Sequence, residues 1–356
     1  MTGADIVLCE AWAMQSTSTH RFPTGTPQKL RLTLQSLALC LVLSVASHSE
    51  PLLRCAPYTP PKAPANAANP RLVIDVKESS GQPAHFRTSR QIGEEYKGNT
   101  RGLSTLRCSG SAIFSVDQLN RMNQEIEGDI LVVDLRQESH GYLNGLPITW
   151  EADNDWVNVG KTPKQCAEAE EAQLDALRHQ LNVKVEAAQD REGGGAIPAL
   201  NAAPPTPPRQ VSVRNVRTEK EVVEDLGLGY RRLYVTDHLR PDDASVEAFV
   251  HIVDKLPDNL WLHFHCRGGK GRTTTFMAMY DMLRNSNKVS LEDILARQAF
   301  LDPKYNLAET KPDSARTLYY QERYQFLQAF YQYTQERGKS GVRVPWSLWC
   351  KVQPKS

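Results

Sequence analysis

The chain has 356 residues, 40% hydrophobic and 23% charged, with a net charge of +1 at pH 7. That is the balance of a globular chain with one large or two small domains, and the near-neutral total excludes the bulk basic field that holds nucleic acid or an anionic membrane surface. The seven cysteines (Cys9, Cys40, Cys55, Cys108, Cys166, Cys266, Cys350) leave at least one thiol without an intrachain partner, and none has the Cys-x-x-Cys spacing of a zinc site or redox dithiol, so no metal and no cofactor is expected.

Residues 1–50 do not read as a folded domain. "STSTHRFPTGTPQ" is polar and turn-rich; Lys29 and Arg31 then precede "LALCLVLSV" (Leu37 to Val45), with Ala46 and Ser47 after it. A basic flank, a short apolar run and small residues predict a secretory signal and a secreted or periplasmic protein. The run is too short to span a membrane. The polar stretch ahead of it is long for a signal peptide, so an export leader for injection into a host cell is the alternative, as is an apolar helix docked on the body. Residues 51–70, with "APYTPPKAPANAANP" (Ala56 to Pro70), read as an extended linker.

The folded body is expected over 71–356, with an insertion around 141–212. It opens with a short strand, "RLVIDV", from Arg71. A buried strand, Ile130 to Leu135, runs into the polar cluster of "DLRQESHG". Open α/β sheets place ligands at such strand ends. A helix follows over Pro163 to Asn182, then a Gly- and Pro-rich loop from Gln189 to Arg209. "RRLYVTDH" (Arg231 to His238) reads as a strand ending in charge, and Asp243 to Leu256 as an amphipathic helix. Leu260 to Cys266 is a strand, Arg272 to Asn285 a helix, and Ala315 to Arg337 another. This alternation argues an α/β fold with a central mixed sheet flanked by helices and a smaller inserted subdomain.

"HCRGGKGRT" carries the chemistry. Cys266 ends a buried strand and Arg272 opens a helix, with Gly268, Gly269 and Gly271 between them. Such a loop curls so that its amides and the helix N-terminus cradle an anion of phosphate type. Arg272 is able to clamp two phosphate oxygens. The same donors favour the thiolate of Cys266, and the hydroxyl of Thr273 is placed to hydrogen-bond the sulfur. A thiolate in a phosphate cradle is a nucleophile aimed at phosphorus.

These residues resemble the HCxxGxGR[ST] signature of protein-tyrosine-phosphatase-like enzymes. "HFRTSR", "VDLRQESHGYLNGLPITW", "TDH", "WLHFHC" and "VPWSLW" further resemble the cysteine phytases, myo-inositol polyphosphate phosphatases with a tyrosine phosphatase core. The resemblance runs from Phe86 to Trp349. It implies Cys266 as nucleophile, Arg272 as phosphate clamp and Asp237, in "TDH", as general acid. Asp242 and Asp243 are rival acids that read better as helix-start residues. The resemblance also implies a supporting role for His265, through hydrogen bonds to the loop backbone, and for Asp134, Arg136 and His140. A phosphorylated inositol is a dense anion, so further cations are expected around the pocket. Arg267 and Lys270 lie in the loop, Arg87 resembles a substrate-binding arginine, and His238 follows the acid. Lys304, Lys311 and Arg316 lie where the family brings basic residues to substrate. Arg267 and Lys270 depart from the acidic or apolar residues common in cysteine phytases and resemble phosphoinositide phosphatases of the tensin type. The expected partner is thus a small phosphorylated inositol, with no stable membrane span. Oligomeric state does not follow from the sequence.

Overall fold

A computed structural model describes residues 55–76, 79–188, 207–303, 305–310, 312, 314–340 and 343–351. The predicted leader at 1–50 and the Gly- and Pro-rich stretch at 189–206 lie outside the described residues. In chain order the elements are β1 (Arg71–Ile74), β2 (Arg87–Thr88), β3 (Cys108–Ala112), α1 (Val116–Glu125), β4 (Ile130–Asp134), β5 (His140–Leu143) and β6 (Leu146–Glu151). Then come α2 (Pro163–Arg178), β7 (Asn182–Ala187), β8 (Arg209–Ser212), β9 (Val216–Arg217), α3 (Glu219–Glu224) and β10 (Gly229–Arg232). The chain continues with α4 (Asp243–Asp254), β11 (Trp261–Cys266), α5 (Gly271–Asn285), α6 (Leu291–Leu301), α7 (Thr317–Ser340) and α8 (Trp346–Lys351).

The central sheet has the order β10-β4-β11-β3-β2. Its first four strands are parallel and β2 closes one edge antiparallel. Parallel strands need cover on both faces. One face packs against α4 to α8 through Phe249, Phe276, Ile294, Leu327 and Trp346; the other packs against α1 and α3 through Leu119, Met122, Val222 and Val223. β11 lies at the centre, and all six of its residues are buried.

The second sheet has the order β8-β7-β1-β6-β5-β9. The subdomain expected as an insertion around 141–212 therefore recruits β1 from ahead of the central sheet, through antiparallel pairing with β6 and parallel pairing with β7. α2 covers it, with Leu174 and Leu177 on Ile148 and Val185.

Two local expectations change, and the helix-start reading of Asp242 and Asp243 holds. Residues 56–70 are docked on the body: Arg240 donates to the carbonyl of Ala56 at 2.9 Å, Tyr58 donates to Thr236 at 3.2 Å, and Asn66 exchanges two hydrogen bonds with Asp153. A disulfide joins Cys55 to Cys350. The strand expected over Arg231 to His238 ends at Arg232, and "TDH" lies in the loop beyond it. The N-cap of α4 is Asp242, whose carboxylate accepts from the amide of Ser245 at 2.7 Å.

Candidate active site

Side chains alternate across β11. Leu262, Phe264 and Cys266 face the larger apolar cluster. His263 and His265 face the other way, where His263 meets the hydroxyls of Ser109 at 2.9 Å and Ser111 at 3.1 Å. His265 packs on Phe114 with ring centroids 4.9 Å apart. Its imidazole Nε2 stands 2.6 Å from Glu219, and no hydrogen bond from its ring to the loop backbone is found among the described residues. The supporting contact expected of His265 is thus replaced by one on the opposite face of the strand.

Between Cys266 and α5 the chain reverses at Gly269, which takes φ +69°. A Cβ there would stand 2.3 Å from the backbone nitrogen of Ala112, so only glycine fits. Gly268 is exposed with open space beside it, and Gly271 opens α5 against Arg323 and Tyr305. Arg87 lies beneath this turn and is buried. It donates to the carbonyl of Gly269 at 3.0 Å and to Thr274 at 2.8 Å, so it props the loop from behind rather than facing its mouth.

Cys266 is 3% exposed and accepts a hydrogen bond from the hydroxyl of Thr273 at 3.2 Å. Arg272 is clamped by Glu138 through two contacts, 2.6 Å and 2.9 Å, and also donates to the carbonyl of Val235 at 3.2 Å. Its Nε lies 3.0 Å from Asp237 Oδ1, an ion pair by distance whose alignment falls short of a hydrogen bond. Burial favours the neutral form of Asp237, but the charge of Arg272 outweighs it and holds the carboxyl below its usual range. Glu138 shows the same contest in stronger form: burial raises it, and Arg272 and Arg136 drive it far down. His238 adopts φ +68° and sets Nε2 3.0 Å from Asp237; burial pushes its imidazole down to about 4, so it is neutral at pH 7.

The flanking cations divide. Arg267 is held by Asp75 at 2.9 Å and by Glu151 and Asp155 at 2.6 Å each. Three carboxylates on one guanidinium leave it structural rather than free for a second phosphate, a correction to the sequence reading. Lys270 is half-buried and has no ion-pair partner among the described residues. Arg316 bonds Asn154 at 3.1 Å, and its charge reaches both Asp237 and His238. Lys304 and Lys311 lie outside the described residues.

Asp134, Arg136 and His140 are fully buried behind the loop. Asp134 accepts from Tyr230 at 2.8 Å and from the amide of Arg136 at 2.9 Å, and pairs with Arg232 at 3.1 Å. His140 lies 3.1 Å from Glu219 and 3.2 Å from Asp134. Burial and two arginines oppose its charge, yet the surrounding carboxylates win and raise it to about 9. Asp134, Glu219 and His265 bring donor atoms within 4.8 Å of one another, and Arg232 and charged His140 balance that cluster. Arg136 donates to Glu138 at 2.9 Å, linking this network to the clamp on Arg272. Sequence reasoning missed Glu138, Glu219 and Arg232, and also Trp156 and Arg323, which donate to the carbonyls of Asp237 and His238. Glu138 alone carried a signal, as a carboxylate inside the charged cluster that follows β4.

A parallel sheet whose central strand delivers Cys-x5-Arg to a helix N-terminus is a protein-tyrosine-phosphatase-like fold. The family model for PTP-like phytases, described by inositol hexakisphosphate, matches residues 133–284. A PTP-like phytase from Bdellovibrio bacteriovorus is 31% identical with a TM-score of 0.63, covering 83% of this chain and 100% of that one. The chain belongs to the PTP-like phytase family. A PTP-like myo-inositol phosphatase from Mitsuokella multacida, solved with myo-inositol-(1,3,4,5)-tetrakisphosphate, is 33% identical with a TM-score of 0.70, covering 83% of this chain and 50% of that one. Effector protein hopD2 of Pseudomonas syringae pv. tomato is 35% identical over 274 residues, 76% of this chain and 57% of that protein. The chain thus spans about half the length of these last two relatives.

Proposed function

We propose that this chain is a cysteine-dependent phosphomonoester hydrolase that acts on myo-inositol polyphosphates, inositol hexakisphosphate among them. The observation that carries the reading is the convergence of Thr273-bonded Cys266, Glu138-clamped Arg272 and Arg272-paired Asp237 at the end of β11. Cys266 Sγ attacks phosphorus while the loop amides and Arg272 hold the equatorial oxygens. The P–O bond to the inositol breaks, and its oxygen takes the proton of Asp237. Water then attacks the phosphocysteine, giving its proton back to Asp237 and releasing phosphate and the thiolate. In the free protein Asp237 is held ionised by Arg272; a phosphate dianion on Arg272 cancels that charge and returns the carboxyl to its acid form. Lys270, His238, Arg316, Lys304 and Lys311 are the proposed contacts to the other phosphates.

Similarity to effector protein hopD2 favours a particular setting, action on host inositol phosphates after injection, over a scavenging role outside the cell. Its rival in chemistry is a protein tyrosine or phosphoinositide phosphatase using the same loop. The test is phosphate release from inositol hexakisphosphate, a phosphotyrosine peptide and a phosphoinositide, in excess chelator, with Cys266→Ser as control. Release from inositol hexakisphosphate that Cys266→Ser abolishes is expected. Activity on the peptide alone would reverse the assignment, and full activity in Cys266→Ser would remove the mechanism.

A further inference from the structure

The loop that carries Asp237 is held by side chains from three separate parts of the chain. The residues after β10 leave the sheet, and left-handed His238 turns the carbonyls of Asp237 and His238 away from any strand partner. Trp156 Nε1 donates to the Asp237 carbonyl at 3.0 Å. Arg323, on α7, donates to the His238 carbonyl and through its other arm to Tyr305. Tyr58, in the docked segment ahead of β1, donates to Thr236 Oγ1 at 3.2 Å, and that hydroxyl donates onward to Gln137 at 3.0 Å. Three consecutive residues, 236 to 238, are thus each fixed by a different element.

The anchors are themselves held. Trp156 is buried and packs with Val159, Leu239, Tyr58 and Tyr319. It follows Asn154 and Asp155, both left-handed at φ 58° and 60°, a conformation that non-glycine residues keep only when their surroundings fix it. Those surroundings are Asp155 on Arg267 at 2.6 Å, Asn154 on Arg316 at 3.1 Å and Asn66 on Asp153 at 2.9 Å. Arg323 is buried and lies 3.1 Å from the place a Cβ on Gly271 would occupy, where α5 begins. The acid loop is therefore referenced to the phosphate loop through Arg323 and to the second sheet through Trp156.

We propose that Trp156, Arg323 and Tyr58 are positioning residues for the general acid: they fix the backbone of residues 236 to 238 so that the Asp237 carboxyl meets the leaving oxygen. The proposal rests on Asp237 being that acid. Its consequence is selective. A proton donor matters for an inositol leaving group, which is a poor one, and little for an acidic phenol, which leaves without protonation.

The measurement is kcat/KM, which reports events up to release of the leaving group, for inositol hexakisphosphate and for an aryl phosphate with an acidic phenol. Trp156→Phe keeps the packed ring and removes the N–H. A loss of about tenfold to a hundredfold on inositol hexakisphosphate, with less than about threefold on the aryl phosphate, is expected. In an Asp237→Asn background the same change should add nothing, because both act through one proton transfer. Tyr58→Phe removes a single hydroxyl, and is expected to shift the substrate ratio in the same direction even where Trp156→Phe does not fold. Equal loss on both substrates, no loss, or additive loss in the double variant overturns the proposal. If Asp237→Asn itself slows both substrates alike, the acid assignment falls and the positioning role with it. If Asp237→Asn discriminates and Trp156→Phe does not, the positioning role alone falls.

Discussion

Replacing Glu138 by glutamine changes one atom type at a fully buried anion. Glu138 Oε1 accepts from Arg272 at 2.9 Å and from Arg136 at 2.9 Å, and an amide oxygen in its place keeps both contacts. Oε2 accepts from the second Arg272 nitrogen at 2.6 Å, and there the amide presents an N–H2 group, donor against donor. Two buried guanidiniums also lose their shared counter-charge. Breaking one partner of such a buried pair costs about 3 to 5 kcal/mol. Retention of the two Oε1 contacts, and of the Arg272 contact to the Val235 carbonyl, puts Glu138→Gln near the lower end, about 3 kcal/mol. Urea unfolding at pH 7 reads this directly. Its pH dependence carries a sign. The folded-state carboxyl is depressed below its ordinary 4.5, so its stabilisation is complete above that value and lost as pH falls toward the folded-state value. The gap between wild type and variant is therefore expected to stay flat from about pH 6 to 8 and to narrow below about pH 4. Catalytic efficiency should fall about a hundredfold as Arg272 loses its aim. A gap under about 1 kcal/mol, or one that does not narrow in acid, would refute the account of Glu138 as an ionised clamp.

Three further outcomes are expected. Gly269→Ala forces a Cβ to within 2.3 Å of the Ala112 nitrogen at φ +69°, so the loop cannot keep its shape; loss of phosphate binding by calorimetry is the readout. His140 is raised to about 9 from 6.5, so its charge contributes stability that is complete below about 6.5 and lost as pH rises through about 9. His140→Gln should remove that alkaline slope from urea midpoints measured between about pH 6.5 and 9.5. Arg267→Met leaves Asp75, Glu151 and Asp155 without their shared cation, so a drop of about 3 kcal/mol in unfolding free energy is expected with the pattern of inositol phosphate products unchanged. An altered product pattern in a stable variant would return Arg267 to the substrate.

The strands and helices that frame the loop were legible because each carries a strong local pattern. β11 carries Trp261, Leu262 and Phe264 and runs straight into the glycine-rich loop, and α5 begins at Gly271, one residue before the arginine of the motif. Cys266, Thr273 and Arg272 follow from that local geometry alone. The fates of Arg87, Arg267 and His265 did not follow, because each depends on partners distant in sequence. Arg267 is neutralised by Asp75, 192 residues away, and His265 turns toward Glu219 by the alternation of its strand. A basic residue beside a phosphate loop looks the same in sequence whether it faces substrate or a buried carboxylate. The second sheet was legible only in its first strand: the Asn144-Gly145 turn between β5 and β6 is a local hairpin sign that sequence reasoning did not use, and the use of β1 to complete the sheet is a long-range pairing with no local sign.

The bond between Cys55 and Cys350 joins points 295 residues apart in sequence. Mechanically it is a short circuit. Tension applied to the chain ahead of Cys55 and behind Cys350 passes through two sulfur atoms and never loads the sheets between them. The body is in this respect a closed ring with two tails leaving from one knot. Such a ring does not thread a channel that admits a single extended strand; it would have to enter doubled. Passage in extended form therefore requires the two thiols to be free, with the tie made on the side where the fold is finally assembled.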